Sequence, residues 1–229
     1  MTSNRYLMVN AIEPNMTREA DYNKWHNNHV TMIFGYEGMK RINRFKFIKP
    51  LGSTDAAGTP YMTIYECEGK EKFDGLFKGP QMMKAKDDYD TNWPGLGEVA
   101  WAGNFEPIKT LERPGKKLTK VYAEIVSSGP KPGKEKAYLD YYTKHFTKMF
   151  EYKGIQRISY SKALPPMFKP EPKCPVYLTI YEFVSKEAME AFYADPIFTS
   201  GGDEWEKVGK PATDLKWCAE YETIKTLER

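Results

Sequence analysis

EPIKTLER (residues 106–113) and ETIKTLER (residues 222–229) stand 116 residues apart. The same offset sets YMTIYE (61–66) over YLTIYE (177–182). It also pairs Tyr6 with Tyr122, His29 with His145, Gly38 with Gly154, Arg41 with Arg157, Pro80 with Pro196 and Trp101 with Trp217. Without a gap, about 30 of roughly 113 paired positions are identical, and a long period kept this well is the mark of a tandem duplication. The reading divides the chain into a first repeat (1–113), a linker (114–118) and a second repeat (119–229). Pro114, Gly115, Lys116 and Lys117 make the linker a short polar joint.

Each repeat carries the same series of elements. An apolar or alternating strand (5–12; 120–127) leads through a Pro-containing turn into a helix (17–35; 133–151). In the first helix Tyr22, Trp25, His29, Met32 and Ile33 fall at helical spacing, with Asn15 and Thr17 as cap candidates. Gly38 and Gly154 mark the helix exits. A second strand (39–48; 155–164), a Gly/Pro-rich loop and the tyrosine-rich third strand follow. A second helix begins near Lys70 and Ser185, and a last strand runs into IKTLER. The order β-α-β-β-α-β is the split β-α-β pattern of ferredoxin-like folds. In the third strand Tyr61, Thr63 and Tyr65 take one face, Met62 and Ile64 the other. Both faces are apolar, so the face without helices needs a cover. A duplicated chain supplies it by packing sheet to sheet. The predicted class is α+β.

Composition excludes much. The 229 residues are 41% hydrophobic and 14% aromatic, too rich for a disordered chain. A net charge of +3 on a mixed surface points away from nucleic acid. No apolar run approaches the ~18–20 residues of a membrane helix, and the N-terminus has no signal-peptide core. Cys67, Cys174 and Cys218 match neither a disulfide framework nor a zinc site, so a cytoplasmic setting is expected. No P-loop, G-x-G-x-x-G, G-x-S-x-G or C-x-x-C occurs, which disfavours nucleotide, nicotinamide and serine-hydrolase chemistry.

WHNNHV (25–30), YEGMKRINRF (36–45) and PYMTIYE (60–66) resemble the EthD-like branch of the dimeric α/β-barrel superfamily, here with two subunits fused. The resemblance covers nearly the whole chain. It implies a barrel of two ferredoxin-like units. For function it implies small-molecule chemistry of many kinds, among them lyases, isomerases, cyclases, dehydratases, haem enzymes and monooxygenases. Some relatives use a His with a Tyr.

His29 and His145 lead the candidate catalytic residues. Each follows an aromatic by four positions, Trp25 or Tyr141, so the two rings share a helix face. Burial keeps such a His neutral and fit to act as a base, and it equally suits a structural histidine. Tyr65 and Tyr181 end the third strands, where a buried phenol can donate to a substrate carbonyl or simply pack. Trp25, Asn28, Arg41, Tyr61, Met82 and Trp93 are candidate substrate contacts. Arg41 and Arg157 either point inward to bind an anion or pair outward with Glu66 or Glu182. His26, at i, i+3 from His29, lacks the further ligands of a metal site and reads as solvent-facing.

The halves differ, and Trp25, Met82, Met83 and Trp93 suggest a working pocket in the first. The expected activity is cofactor-independent His/Tyr acid–base chemistry of the lyase, isomerase, dehydratase or cyclase type on a hydrophobic, aromatic carbonyl compound. Haem binding with His29 or His145 as ligand, a cofactor-free monooxygenase and a non-catalytic binding protein are the alternatives. No metal is expected, and a homodimer is possible.

Overall fold

The computed structural model describes residues 4–51, 58–115, 119–165 and 174–229. Linker positions 116–118 lie outside the described residues. The first half contains β1 (Arg5–Pro14), α1 (Glu19–Phe34), β2 (Met39–Pro50), β3 (Tyr61–Glu68), α2 (Lys70–Leu76), α3 (Pro80–Asn92) and β4 (Gly97–Glu112). The second contains β5 (Tyr122–Pro130), α4 (Glu135–Met149), β6 (Ile155–Ala163), β7 (Tyr177–Phe183), α5 (Lys186–Phe192), α6 (Pro196–Glu204) and β8 (Thr213–Glu228). A π-turn, Trp205–Gly209, carries α6 towards β8.

The eight strands close into one antiparallel barrel in the order β1-β3-β2-β8-β5-β7-β6-β4. Each half supplies four neighbours, β4-β1-β3-β2 and β8-β5-β7-β6. The predicted sheet-to-sheet cover is therefore a continuous hydrogen-bonded wall, with two seams where the halves meet. Both seams are built from the matching octapeptides. Residues 106–112 of β4 pair with β6, and residues 222–228 of β8 pair with β2. β4 and β8 are 16 residues long, so each can pair in its own half and then reach the other.

Two local details differ from the expected series. The second helix of each repeat is two helices, because Pro80 and Pro196 stand at a first helical turn. Proline fits there and nowhere deeper in a helix. Gly38 and Gly154 do not end the helices, which stop at Phe34 and Met149. They open the second strands, where a Cβ would lie 2.5 Å and 2.3 Å from the rings of Tyr36 and Tyr152. Asn15 does cap, accepting from the Thr17 amide at the short turn before α1.

Strand parity sorts the core. Leu7, Val9, Ala11, Phe45, Met62, Ile64, Ile125, Leu178 and Ile180 face inward and pack with Trp101 and Trp217, whose rings lie 6.3 Å apart. An eight-stranded barrel is just wide enough for such side chains to fill. One end of this interior is ionic. Arg41 donates to Glu66 through Nε at 2.9 Å and to Glu182 through Nη1 at 2.8 Å. Arg157 donates to Glu182 through Nε at 3.0 Å and to Glu66 through Nη1 at 2.8 Å. Arg5 adds a bond to Glu66 at 3.1 Å. Each arginine spans both glutamates, and all four residues are at most 6% exposed. Arg41 thus points inward, yet its guanidinium is committed to the protein's own carboxylates. It is neither an outward cross-sheet pair nor a free substrate clamp.

Burial alone would raise both carboxyls, but the two guanidiniums outweigh it and hold Glu66 well below, and Glu182 below, the ordinary carboxylate range. Depressed folded values give stability that is present above the unfolded value and lost as pH falls through the folded one. Breaking one arm leaves an uncompensated buried charge, at a cost of about 3–5 kcal/mol. Arg157→Met is expected to lower the unfolding free energy by that amount at pH 7 in urea titration. The wild-type protein is expected to lose stability below about pH 4, while a loss under 1 kcal/mol in the variant would show the network to be dispensable.

Candidate functional site

The helices pack on the outer face of the barrel, where the two halves part company. In the second half a cavity of about 390 Å³ lies between sheet and helices, within the usual size range of small-molecule sites. Its floor is Glu124 and Val126 of β5, Tyr181 of β7, and Leu215 and Cys218 of β8. Tyr141, Tyr142 and His145 of α4 form one wall. Phe198, Gly201 and Gly202 of α6, with Tyr193 and Trp205, form the other. Leu51, just beyond β2, reaches across the seam and completes the lining.

Glycine positions explain why this space is open. A Cβ on Gly202 would meet nothing within 4 Å, whereas one on Gly209 would strike Trp205 and Tyr141 at 2.5–2.6 Å. The positions 116 residues earlier hold Lys86 and Trp93. In the first half, among the described residues, an aromatic cluster stands at the corresponding place. Trp25 lies 4.7 Å from His29 and 5.2 Å from Trp93, and Tyr89 stacks on Trp93 at 5.3 Å. The apolar bulk that suggests a pocket in the first half is therefore taken up in packing.

The predicted residues separate accordingly. His145 and Tyr181 stand together on the cavity. His29 is buried and bonds Asp88 of α3, Nδ1 to Oδ2 at 2.8 Å. Tyr65 packs with Val30, Ile33 and Ile42 in the core, and among the described residues no hydrogen bond joins it to His29. Trp25, Tyr61 and Trp93 belong to one aromatic cluster with Tyr22, and Tyr61 is tied to Glu19 and Asn23. Met82 packs with the core under α2. Asn28 is exposed on α1, on the side away from His29's partners. These six candidate contacts do not converge. His26 is buried rather than solvent-facing, with Nδ1 2.9 Å from the Tyr22 hydroxyl.

Sequence reasoning missed Glu124. It occupies the place of Met8 in the first repeat, and an acid on the helix-facing side of an apolar strand was the available signal. The Tyr193 hydroxyl donates to its Oε2 at 3.1 Å and the Cys218 thiol to its Oε1 at 3.4 Å. On β8, Glu220 is its cross-strand partner in register, and Glu220 has Lys49 Nζ 3.3 Å away. No cation lies against Glu124 among the described residues. Burial raises its carboxyl to about 7, and Glu220 pushes the same way. Burial also lowers His145 to about 4, helped by Lys148, so the imidazole is neutral at pH 7. The Tyr141 hydroxyl lies 3.2 Å from His145 Nδ1 and donates to it when the ring proton is on Nε2. The site thus offers a neutral imidazole and a half-ionised carboxyl in an aromatic chamber.

Among the described residues no group of three or more His, Cys, Asp or Glu side chains is placed to hold a metal ion. No helix among them is long and apolar enough to cross a membrane. A haem would find an axial ligand in His145. However, among the described residues no Lys or Arg lines the cavity to pair its carboxylates, and Glu124 would oppose them. The walls fit that group poorly.

No family model and no curated protein matches the chain. Solved structures do. A candidate monooxygenase of Fusobacterium nucleatum aligns over 100% of this chain and 96% of its own at 10% identity, with a TM-score of 0.70. A candidate monooxygenase of Lactobacillus acidophilus aligns over 99% of both chains at 12% identity, TM-score 0.59. An anthrone oxidase-like protein aligns over 99% of this chain and 93% of its own at 12% identity, TM-score 0.60. Chlorite dismutases share the architecture as well. At these identities the likeness is one of fold alone, an α+β barrel.

Glu124 makes the cavity costly to keep. An acid raised from 4.5 to about 7 holds its proton more tightly when folded, so stability falls as pH rises through that window. The full step corresponds to at most about 3 kcal/mol, less what cavity water screens. Glu124→Gln is expected to match wild type near pH 4.5 and to exceed it by about 1–3 kcal/mol at pH 8.5 in urea unfolding. An equal offset at both pH values would show that Glu124 titrates normally.

Proposed function

We propose that the chain is a small-molecule enzyme whose working site is the second-half cavity, and that it moves a proton on a flat, hydrophobic aromatic carbonyl compound without a resident cofactor. The observation that carries this reading is the contrast between twins. His145 borders an aromatic chamber with a carboxyl in its floor, while His29 stands in an aromatic cluster and is tied to Asp88. In the chamber, ring faces of Tyr141, Tyr142 and Trp205 stack the substrate. The neutral His145 takes a proton from a carbon next to the carbonyl or passes one to its oxygen. Tyr181, whose phenol burial pushes well above its ordinary value, stays protonated and donates to the developing oxyanion.

We read the scaffold as two fused copies of a ferredoxin-like unit, 1–113 and 119–229, of EthD-like type. Support comes from the 116-residue offset and from the identical strand order of the halves.

A second outcome of the same step is favoured by the monooxygenase and anthrone oxidase-like neighbours. Once the proton is gone, molecular oxygen adds to the electron-rich carbon, and the hydroperoxide so formed breaks its O–O bond and loses water to leave a new carbonyl, so the site would serve a cofactor-free monooxygenase. Proton removal and oxidation are separable by excluding oxygen.

Anthrone in buffered D₂O under nitrogen is the test, with exchange at its methylene carbon followed by NMR. Wild-type protein is expected to accelerate exchange over buffer. His145→Asn is expected to lower the catalysed rate by about 10²–10⁴-fold, and His29→Asn to leave it within about twofold. Admitting air then shows whether anthrone is consumed oxidatively. No acceleration, or equal loss in both variants, would overturn the assignment of the site to His145.

A further inference from the structure

The chamber is mainly aromatic, with His145 in one wall, and the acid in its floor has no cation against it among the described residues. Glu124 and Glu220 sit opposite each other on β5 and β8, where side chains of directly paired residues are neighbours. Lys49 serves Glu220 alone. Glu124 instead receives two neutral donors, one on each oxygen. A carboxylate oxygen accepts more than one hydrogen bond, so both oxygens keep capacity towards the cavity that Glu124 lines. Tyr193 and Cys218 fix the plane of the group, and the aromatic walls leave it little other company.

Such a floor discriminates by charge and by donor. A ligand carboxylate would meet a like charge in a water-poor site with no cation to offset it. A bare hydrocarbon would leave the acid's cavity-facing capacity unmatched. A hydroxyl on an aromatic ring would donate to Glu124 while the ring lies against the tyrosines and Trp205.

We propose that Glu124 reads a hydroxyl on the substrate, so that the cavity takes neutral hydroxylated aromatic compounds and rejects aromatic carboxylates. This inference rests on the cavity being the working site, and it assigns the substrate class and the residue that selects it. The substrate O–H donates to a Glu124 oxygen, and the carboxylate form is the better acceptor. Binding of a phenol therefore strengthens as pH rises through the range in which Glu124 ionises.

Three probes of one ring size test it: 2-naphthol, naphthalene and 2-naphthoate, with binding followed by quenching of protein fluorescence. The wild-type protein at pH 8 is expected to bind 2-naphthol at least ~10-fold more tightly than naphthalene, although naphthalene is the more hydrophobic. It is expected to bind 2-naphthoate at least ~10-fold more weakly than 2-naphthol. The 2-naphthol affinity should rise between pH 6 and pH 8. Glu124→Met, which installs the residue found at the twin position, should erase the hydroxyl preference and narrow the gap between 2-naphthol and 2-naphthoate. Glu124→Gln, which keeps the shape, should bind 2-naphthol with a flat pH profile. Gly202→Phe should fill the chamber and weaken every probe.

If naphthalene and 2-naphthol bind alike, and Gly202→Phe abolishes both, the cavity stands and the role of Glu124 is overturned. If no probe binds, or Gly202→Phe changes nothing, the cavity is not the site and the inference falls with it. A hydroxyl preference that survives in both Glu124 variants would also overturn it.

Discussion

Two arginines and two glutamates buried inside a barrel hold this molecule together, and most of its architecture follows from placing them. Arg41 and Glu66 come from β2 and β3, Arg157 and Glu182 from β6 and β7. Each arginine bonds the glutamate of its own half and also reaches that of the other. A single Arg–Glu contact in an apolar interior would recover too little of the energy lost in leaving water. Four groups, each bonded to two partners of opposite sign, recover far more. The network therefore demands that the halves close on each other. The two octapeptide seams, also shared between halves, are the backbone counterpart of that demand. It is unsurprising in physical terms that the repeat is best kept where the halves touch: EPIKTLER and ETIKTLER each have to pair with the other half's second strand.

Closure fixes where chemistry can occur. The interior is packed with apolar side chains, a tryptophan pair and the ionic network. The only layer able to vary without breaking the barrel lies between sheet and helices, and there are two of those. They share a strand order and differ in what lies between sheet and helices. On one side Trp25 and Trp93 pack against Tyr22, Tyr89 and His29, and His29 is tied to Asp88. On the other, Gly209 stands where the first half has Trp93, and Tyr141, Tyr142 and Trp205 stand around open space. A filled layer stabilises through buried aromatic area; a hollow one forgoes that stabilisation. One packed half and one hollow half divide these duties within a single chain.

The sequence showed some of this directly and concealed the rest for definite reasons. The alternation in YMTIYE set Tyr61 and Tyr65 on one face and Met62 and Ile64 on the other, since parity in a strand is fixed by covalent geometry; which face meets the helices was set by closure of the barrel. Arg41 was legible as a residue with a carboxylate partner. Its direction was not, because inward and outward have meaning only once the barrel closes. The break before Pro80 and Pro196 was visible as a proline rule, although the two helices read as one. The second-half cavity was not read from the sequence. Tryptophan and methionine line pockets and also fill them, and only the positions of Gly202 and Gly209 decide which. Glu124 was hidden in a strand read as apolar, and comparison with Met8 would have exposed it.

Glu124 is also the clearest sign that the hollow half is kept for use. A methionine at the twin position shows that the scaffold accepts an apolar residue there. Methionine would bury without loss, whereas an acid facing another acid on the next strand costs stability whenever it ionises. Cys218, beside it on β8, occupies the place of Ala102, and Tyr193 that of Phe77. Three exchanges from apolar to polar thus meet at one point in the cavity floor. Each alone would leave an unmatched polar group in an apolar layer. Together they form two hydrogen bonds that fix a carboxyl facing open space. Packing requirements would remove such a group, since the alternative set already exists a repeat away. A local arrangement that costs stability, yet is assembled by several concerted differences, belongs to a site rather than to a core.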